Sequence, residues 1–356
     1  MRLKSVRPSI EEALFNLSIG SHEKMVTMLR ASFTLEPSHR LHLGQTFAPL
    51  QRGTFDPLFR SVKDIRGQAY WATAREGSTG LLVRFRREAG GGLEAPVAVT
   101  LWSEATGAQA VADFESFARR VPAWLGEDDH WSAFYGSDTW ELLPQRLQIT
   151  RAHNPGLRLP AIGLLSQNLI QAINEQRVTG IEAMGSMRAL LRQYGQPAPA
   201  TGEPDQPAGM LIFPEASVFT SIPSWTWHRA GYDRARSDAI VQYARTADSF
   251  ERLASAGDVA PLARALASLP GVGPWTISET LQRFCGHPDA VSVGDYHLAH
   301  HVTYAFDGRR GDDTRMVELL TPYRGHRQRV VSLIKAAGIS EPRRAARLAP
   351  EDHRSF

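Results

Sequence analysis

Leu269-Pro270-Gly271-Val272-Gly273-Pro274-Trp275-Thr276 is the stretch on which the reading of this chain turns. Upstream, Pro261 to Leu269 places Leu262, Leu266 and Leu269 on one apolar helix face. Downstream, a second helix is expected from about Trp275 to Phe284. Two glycines in so short a connection allow φ > 0 and close approach of another backbone. Val272 between them can plug the angle between the helices, and Pro274 falls in the first helical turn, where proline is favoured. The exposed N–H groups of that turn, aided by the helix dipole, form an anion site without a basic side chain. From spacing alone, a purely structural αα turn explains the motif equally well.

The chain beyond the second helix is more decisive. Asp295 lies 22 residues past Gly273, in Val291-Ser292-Val293-Gly294-Asp295-Tyr296-His297-Leu298. It directly precedes a helix whose stripe is Leu298, Val302 and Ala305. An aspartate there is an ordinary N-cap. Capping also keeps the carboxylate ionised, and an ionised carboxylate is what cleavage of a glycosidic bond needs.

The rest of the chain sets the frame. At 356 residues two domains are expected. No apolar run reaches the ~18 residues of a membrane span, and no signal peptide is evident, so a cytoplasmic protein is expected. Cys285 is the sole cysteine, which excludes an internal disulfide, a cysteine-ligated zinc site and a four-cysteine iron–sulfur cluster. Net charge is only +3, but from Thr321 to Pro350 seven cations (Arg324, Arg327, Arg329, Lys335, Arg343, Arg344, Arg347) face Glu341 alone, a local +6 that suits a surface facing phosphates.

The pattern is α+β: a small antiparallel β-rich N-terminal domain followed by a larger all-α domain. Residues 1–27 read as a short helical extension and 28–125 as the β-rich domain. In it, strands at Leu81–Arg86 and Ala95–Trp102 flank the Gly90-Gly91-Gly92 turn, with a further strand between Ile65 and Thr73. Residues 126–337 read as the helical domain, with the hairpin at 261–284, and 338–356 as a basic tail. Within the helical domain, Leu165, Leu169 and Ile173 form one stripe and Ile181, Met184 and Leu191 the next, with Gln176-Arg177-Val178-Thr179-Gly180 as the turn between them. Gln196 to Gly209 is a Pro/Gly-rich loop with little order expected.

The hairpin together with Val293-Gly294-Asp295-Tyr296 resembles the helix-hairpin-helix DNA glycosylase superfamily, and most of all bacterial 3-methyladenine DNA glycosylase II, the AlkA type. The resemblance runs from about Met28 to Ala337 and includes Pro155-Gly156-Leu157-Arg158-Leu159-Pro160 at the entry to the helical domain. It implies a monomeric, nucleoid-associated repair enzyme acting on double-stranded DNA that contains a damaged base, most simply an alkylated purine, with deaminated, etheno, oxidised or bulky-adduct bases as the alternatives. Asp295 is then the catalytic carboxylate, and Gly271, Gly273 and Thr276 bind a phosphate beside the lesion. No cofactor is required; a structural sodium or potassium ion is implied at the main-chain carbonyls of Ala267, Leu269 and Gly271. Arg177 falls at the position of the residue that wedges into the base stack. Trp275, Tyr323 and Tyr296 are implied for the base pocket, with Trp227 as a further candidate that also suits the core. Glu279 stands where the family has a pocket tyrosine, so it either meets a cationic base or faces solvent.

Relatives that also cut the strand need a lysine where this chain has Trp275. The chain has four lysines, Lys4, Lys24, Lys63 and Lys335, none near the hairpin in sequence. Simple base excision without strand cleavage is therefore expected. Two other classes stay open: a metal hydrolase built on His297 and His301, four apart on one helix face, and a DNA-binding protein that uses the hairpin without chemistry.

Overall fold

The computed structural model describes residues 10–19 and 22–340. It opens with two long strands, β1 (Ile10–Ile19) and β2 (His22–Leu35), paired antiparallel from Ile10 opposite Ala31 to Ile19 opposite His22. The helical extension expected over residues 1–27 is therefore a strand where it is described. The partner strand begins only three residues on, with Ile19 opposite His22, and the two-residue Gly20-Ser21 connection in the sequence is the local hairpin signal that the helical reading passed over. Short helix α1 (Leu43–Phe47) precedes β3 (Phe59–Asp64), β4 (Gly67–Glu76), β5 (Thr79–Glu88) and β6 (Val97–Ser103). All six strands form one antiparallel sheet in the order β1-β2-β6-β5-β4-β3. The expected hairpin is β5–β6, with Leu82 opposite Trp102.

One face of the sheet is covered by α2 (Ala108–Trp124), whose Phe114, Phe117, Val121 and Trp124 enter a core with Phe47, Val83, Phe85, Val99 and Leu101. The other face carries stacked Trp71 and Trp102, ring centroids 5.4 Å apart, with the Arg84 guanidinium 5.3 Å from each. Chain from the helical domain closes over it. Met210 is buried against these tryptophans, and Arg84 and Arg86 pair with Glu203 at 2.7 Å and Asp205 at 2.5 Å. The segment from Gln196 to Gly209 is thus anchored, contrary to the expectation of little order. Its acidic residues find cations some 120 residues earlier, which a local Pro/Gly count does not register.

Short helices α3 (Ser132–Tyr135) and α4 (Asp138–Glu141) and then α5 (Gln145–His153) lead to α6 (Leu165–Asn174) and α7 (Gly180–Tyr194). The two-residue strands β7 (Gln196–Pro197) and β8 (Leu211–Ile212) come after them, then α8 (Ala216–Phe219), α9 (Ser224–Arg229) and α10 (Arg234–Ser255). Next come α11 (Val259–Ala267), α12 (Pro274–Phe284), α13 (Leu298–Asp307), α14 (Asp313–Leu320), a 3-10 turn (Thr321–Tyr323) and α15 (Arg327–Ala336). The α6 stripe Leu165, Leu169 and Ile173 is buried as expected. On α7 the buried stripe is Ala183, Met187, Leu190 and Leu191, whereas Ile181 is 64% exposed.

Two helical cores result. One gathers α6, α7, α10, α11 and α12 around Ile240, Tyr243, Leu266 and Val272; the other gathers α13, α14 and α15 around Trp131, Phe134, Val302 and Val330. The hairpin α11–α12 edges the first, and Asp295 lies on the connection from the first to the second. Ile162, whose side chain enters the core beneath the sheet, and Gly163 donate main-chain bonds to the carbonyls of Arg283 and Phe284, 2.9 and 2.8 Å.

Candidate active site

The hairpin geometry comes from its own residues. Asp258 caps α11 by accepting from the Ala260 amide at 3.0 Å. Val272 is buried among the helices it separates. Gly271 takes φ +81°, a left-handed geometry that favours glycine, and a methyl there would meet the Ala239 Cβ at 3.2 Å. Gly273 is different. It is the extended N-cap residue of α12, and a Cβ added there would point into open space. With Pro274 in the first turn, the α12 N-terminus presents main-chain amides along the helix dipole.

Asp295 closes the loop between α12 and α13. Its Oδ1 accepts from the amides of His297 and Leu298, both at 2.9 Å, and so satisfies the first α13 amide from two residues ahead of the N-cap position, which is His297 rather than the expected Asp295. Oδ2 faces the Trp275 indole N–H at 3.4 Å. Gly294, at φ +91°, turns the chain into this position, and its amide donates to Asp313 at 3.1 Å. Hairpin helix and aspartate are therefore in direct contact through Trp275, and one carboxylate oxygen is held rigidly while the other meets a single weak donor.

Glu279 does not face solvent. It is largely buried, pairs with Arg283 at 2.6 Å and accepts from the Ser292 hydroxyl. Burial alone would raise its carboxyl, but Arg283, with Ser292, brings it down to about 2. Arg283 also donates to the Pro49 carbonyl at 2.9 Å, and Gln282 donates to Ser292 at 2.8 Å and accepts from Gln328 at 3.0 Å. A polar network thus runs from the N-terminal domain through α12 to the loop carrying Asp295, with the Glu279 charge directed into it.

The aromatic candidates separate into two groups. Trp275 is half-buried against Asp295, and Tyr296 is 68% exposed with its ring edge against His297, centroids 4.8 Å apart. Tyr323 sits inside the α13–α15 core, its hydroxyl donating to the Leu142 carbonyl at 2.8 Å. Trp227 is also a core residue, packed on Phe219 and Tyr232.

His297 and His301 stack at 6.0 Å. Partial burial and nearby His297 hold His301 below its ordinary pKa, Lys335 acting in the same sense and Asp295 against it. Lys335, distant from the hairpin in sequence, thus comes near enough for its charge to act on both His301 and Glu279. Among the described residues no group of three or more His, Cys, Asp or Glu side chains is placed to hold a metal ion. That leaves the zinc-hydrolase reading without a ligand set there.

The turn between α6 and α7 meets the hairpin. Arg177 is exposed and, among the described residues, is the one non-glycine with positive φ, at +56°. Its neighbour Gln176 donates to the Gly271 carbonyl at 2.8 Å and to the Thr276 hydroxyl at 2.7 Å. Nothing near Gln176 in the sequence marks this contact, because its partners lie about 100 residues away.

The basic surplus near the C-terminus is partly structural. Arg327 pairs with Asp289 at 2.5 Å, and buried Arg329 with Asp129 at 2.6 Å. Arg324 and Lys335 remain exposed, while Arg343, Arg344 and Arg347 lie outside the described residues. Among the described residues, no helix is long and apolar enough to cross a membrane.

No protein-family model matches the chain, and no curated protein matches it. Solved structures do. The 3-methyladenine DNA-glycosylase of Archaeoglobus fulgidus superposes with a TM-score of 0.64 at 14% identity, over 86% of this chain and 98% of that one. An 8-oxoguanine glycosylase/lyase of Clostridium acetobutylicum superposes in its apo form with a TM-score of 0.59 at 10% identity, over 92% and 98%. The same enzyme bound to double-stranded DNA with cytosine opposite 8-oxoguanine gives 0.56 at 12% identity, over 91% and 96%. The chain has the α+β fold of these DNA glycosylases along nearly their whole length.

Proposed function

We propose that this chain is a DNA glycosylase that flips a damaged base out of double-stranded DNA and hydrolyses its N-glycosidic bond, with Asp295 as the catalytic carboxylate. The observation that carries the reading is the position of Asp295, one oxygen fixed by the His297 and Leu298 amides and the other facing the hairpin helix at Trp275. In the reaction the C1′–N bond breaks, its electron pair leaving with the base, and positive charge develops on the sugar. A fixed carboxylate stabilises that charge, and water then adds at C1′.

DNA would be gripped by the α12 amides at Gly273 and Thr276, with Gly271 shaping the turn, and Arg177 would enter the stack as the base leaves. A sodium or potassium ion suits the end of α11, where the last carbonyls, Ala267 among them, project at the negative end of the helix dipole. Leu269 and Gly271 would complete its ligands. Each of these two carbonyls already accepts one hydrogen bond, from Val272 and Gln176, and has a second lone pair. Bound there, the ion would add positive charge at the hairpin turn and so favour an anion in front of it.

Alkylated purines are the proposed substrate class. Such bases are often cationic and leave readily, and the exposed Tyr296 ring and the Trp275 face offer stacking. Trp275 in place of a lysine makes the reaction simple excision by a monomer, leaving an abasic site. Lys335 supplies the one specific counter-argument, because its charge reaches the same neighbourhood. The test is a panel of duplexes with single alkylated, deaminated or oxidised bases. Base release without strand breaks before alkali, and no borohydride-trapped adduct, is the expected result. Nicking abolished by Lys335→Ala would overturn the excision-only reading.

A further inference from the structure

We propose that Gln176 is a positioning residue that latches the α6–α7 turn to the hairpin, so that Arg177 and the phosphate-gripping turn move as one rigid unit. This rests on the glycosylase reading above. The side-chain amide has two hydrogens, and both are used: one on the Gly271 carbonyl at 2.8 Å, one on the Thr276 hydroxyl at 2.7 Å. A carbonyl can only accept, so the nitrogen must be the end that faces the hairpin. A threonine hydroxyl that accepts from Gln176 can still donate its own hydrogen, which biases it toward an anion in front of the hairpin.

The rest of the turn is anchored on other elements. The Asn174 carbonyl accepts from Arg236 at 3.0 Å, and its side chain donates to Ala183 at 2.9 Å. Glu175 pairs with Arg52 of the N-terminal domain at 2.5 Å. Thr179 and Glu182 form a reciprocal capping box at the start of α7. Between these anchors stands exposed Arg177 in left-handed backbone, a conformation unfavourable for a non-glycine residue that persists where the surroundings over-determine it. Of the anchors, Gln176 is the one that joins the turn to the hairpin. It does so at the Gly271 carbonyl, proposed above as a cation ligand, and at Thr276, a residue proposed to bind phosphate. α6 already packs on α12, and Ile173, Leu281 and the turn residue Val272 share one core. Two hydrogen bonds at the rim therefore add little to global stability, and their effect lies in where Arg177 points.

The test is a cycle of Gln176→Met, which keeps length and removes both donors, with Arg177→Ala. Single-turnover base release is measured on the lesion duplex that the wild type cleaves best, alongside binding to a tetrahydrofuran abasic-site duplex. Gln176→Met is expected to slow release about tenfold when Arg177 is present and less than twofold in the Arg177→Ala background, since a positioning residue has no effect once the residue it positions is gone. Equal slowing in both backgrounds overturns the proposal. Hydrogen exchange in the free protein supplies a readout independent of activity. In Gln176→Met, amides at 175–179 and 271–276 should exchange at least tenfold faster while the melting temperature stays within a few degrees. Unchanged exchange refutes the latch. If the wild type releases no base from any duplex but the exchange result holds, the glycosylase reading fails and the latch survives.

Discussion

Replacing Glu279 by glutamine should destabilise the helical domain by about 3 kcal/mol at neutral pH, and two routes lead to that figure. Glutamine keeps the volume and can still meet Ser292, but it leaves the largely buried Arg283 guanidinium, now 2.6 Å from a carboxylate oxygen, without its counter-charge. Removing one partner of a buried ion pair costs roughly 3–5 kcal/mol. Independently, a carboxyl that titrates at about 2 rather than 4.5 prefers its ionised form by about 3 kcal/mol. The sign is set by the direction of the shift. A depressed carboxylate contributes stability that is complete above the unfolded value near 4.5 and is lost as pH falls toward 2. Urea denaturation of both proteins from pH 7 down to pH 3 is the assay. The gap should be constant above pH 5 and narrow below 4.5. Glu279→Gln combined with Arg283→Met should recover part of the loss, because no charge is then left unpaired. A gap under about 1 kcal/mol at pH 7, or one that does not change by pH 3, would refute the idea that this pair holds the Asp295 loop.

The same geometry sets further outcomes. Gly271→Ala should cost about 1–2 kcal/mol of stability because of its positive φ and the contact with Ala239, as read by thermal melting. Gly273→Ala, with extended backbone and open space, should leave the melt nearly unchanged yet weaken binding of abasic-site duplex several-fold in fluorescence anisotropy, since its methyl faces the proposed phosphate. Burial pushes the Cys285 thiol up to about 12, so it should react with a thiol reagent at pH 8 far more slowly than it does in denaturant. Asp205→Asn, which removes a carboxylate held below its ordinary range by Arg86 and Arg84 against the effect of burial, should open the 196–209 segment to limited proteolysis at a protease concentration that spares the wild type.

The hairpin was legible because its determinants are local: two glycines, Val272 and Pro274 lie within four consecutive positions and dictate turn, plug and helix start. Asp295 was legible as an acceptor at the start of α13 for the same reason, and the β5–β6 pairing through its glycine turn. Residues 10–19 were misread although their partner is local, β2 beginning three residues on with Ile19 opposite His22. The other features the sequence concealed depend on partners far along the chain. The acidic 196–209 segment is ordered by arginines on β5, and Gln176 gains its role from groups about 100 residues away. Glu279 is instructive in another way. Its helical neighbour Arg283 stands four residues on, a local pairing signal, but the burial that turns the pair inward toward Ser292 is set by the whole domain.

Asp295 is held to perform chemistry as well as to accept from the amides at the start of α13, and Asp295→Asn separates the two roles. Asparagine accepts amide hydrogens at a helix start about as well as aspartate, so the fold and these amide contacts should survive. Single-turnover release of the damaged base should fall on the order of 10²–10³-fold, since the developing sugar cation loses its fixed counter-charge, while affinity for the lesion duplex stays within a few-fold of wild type. Release at the wild-type rate by a folded Asp295→Asn protein would contradict the account.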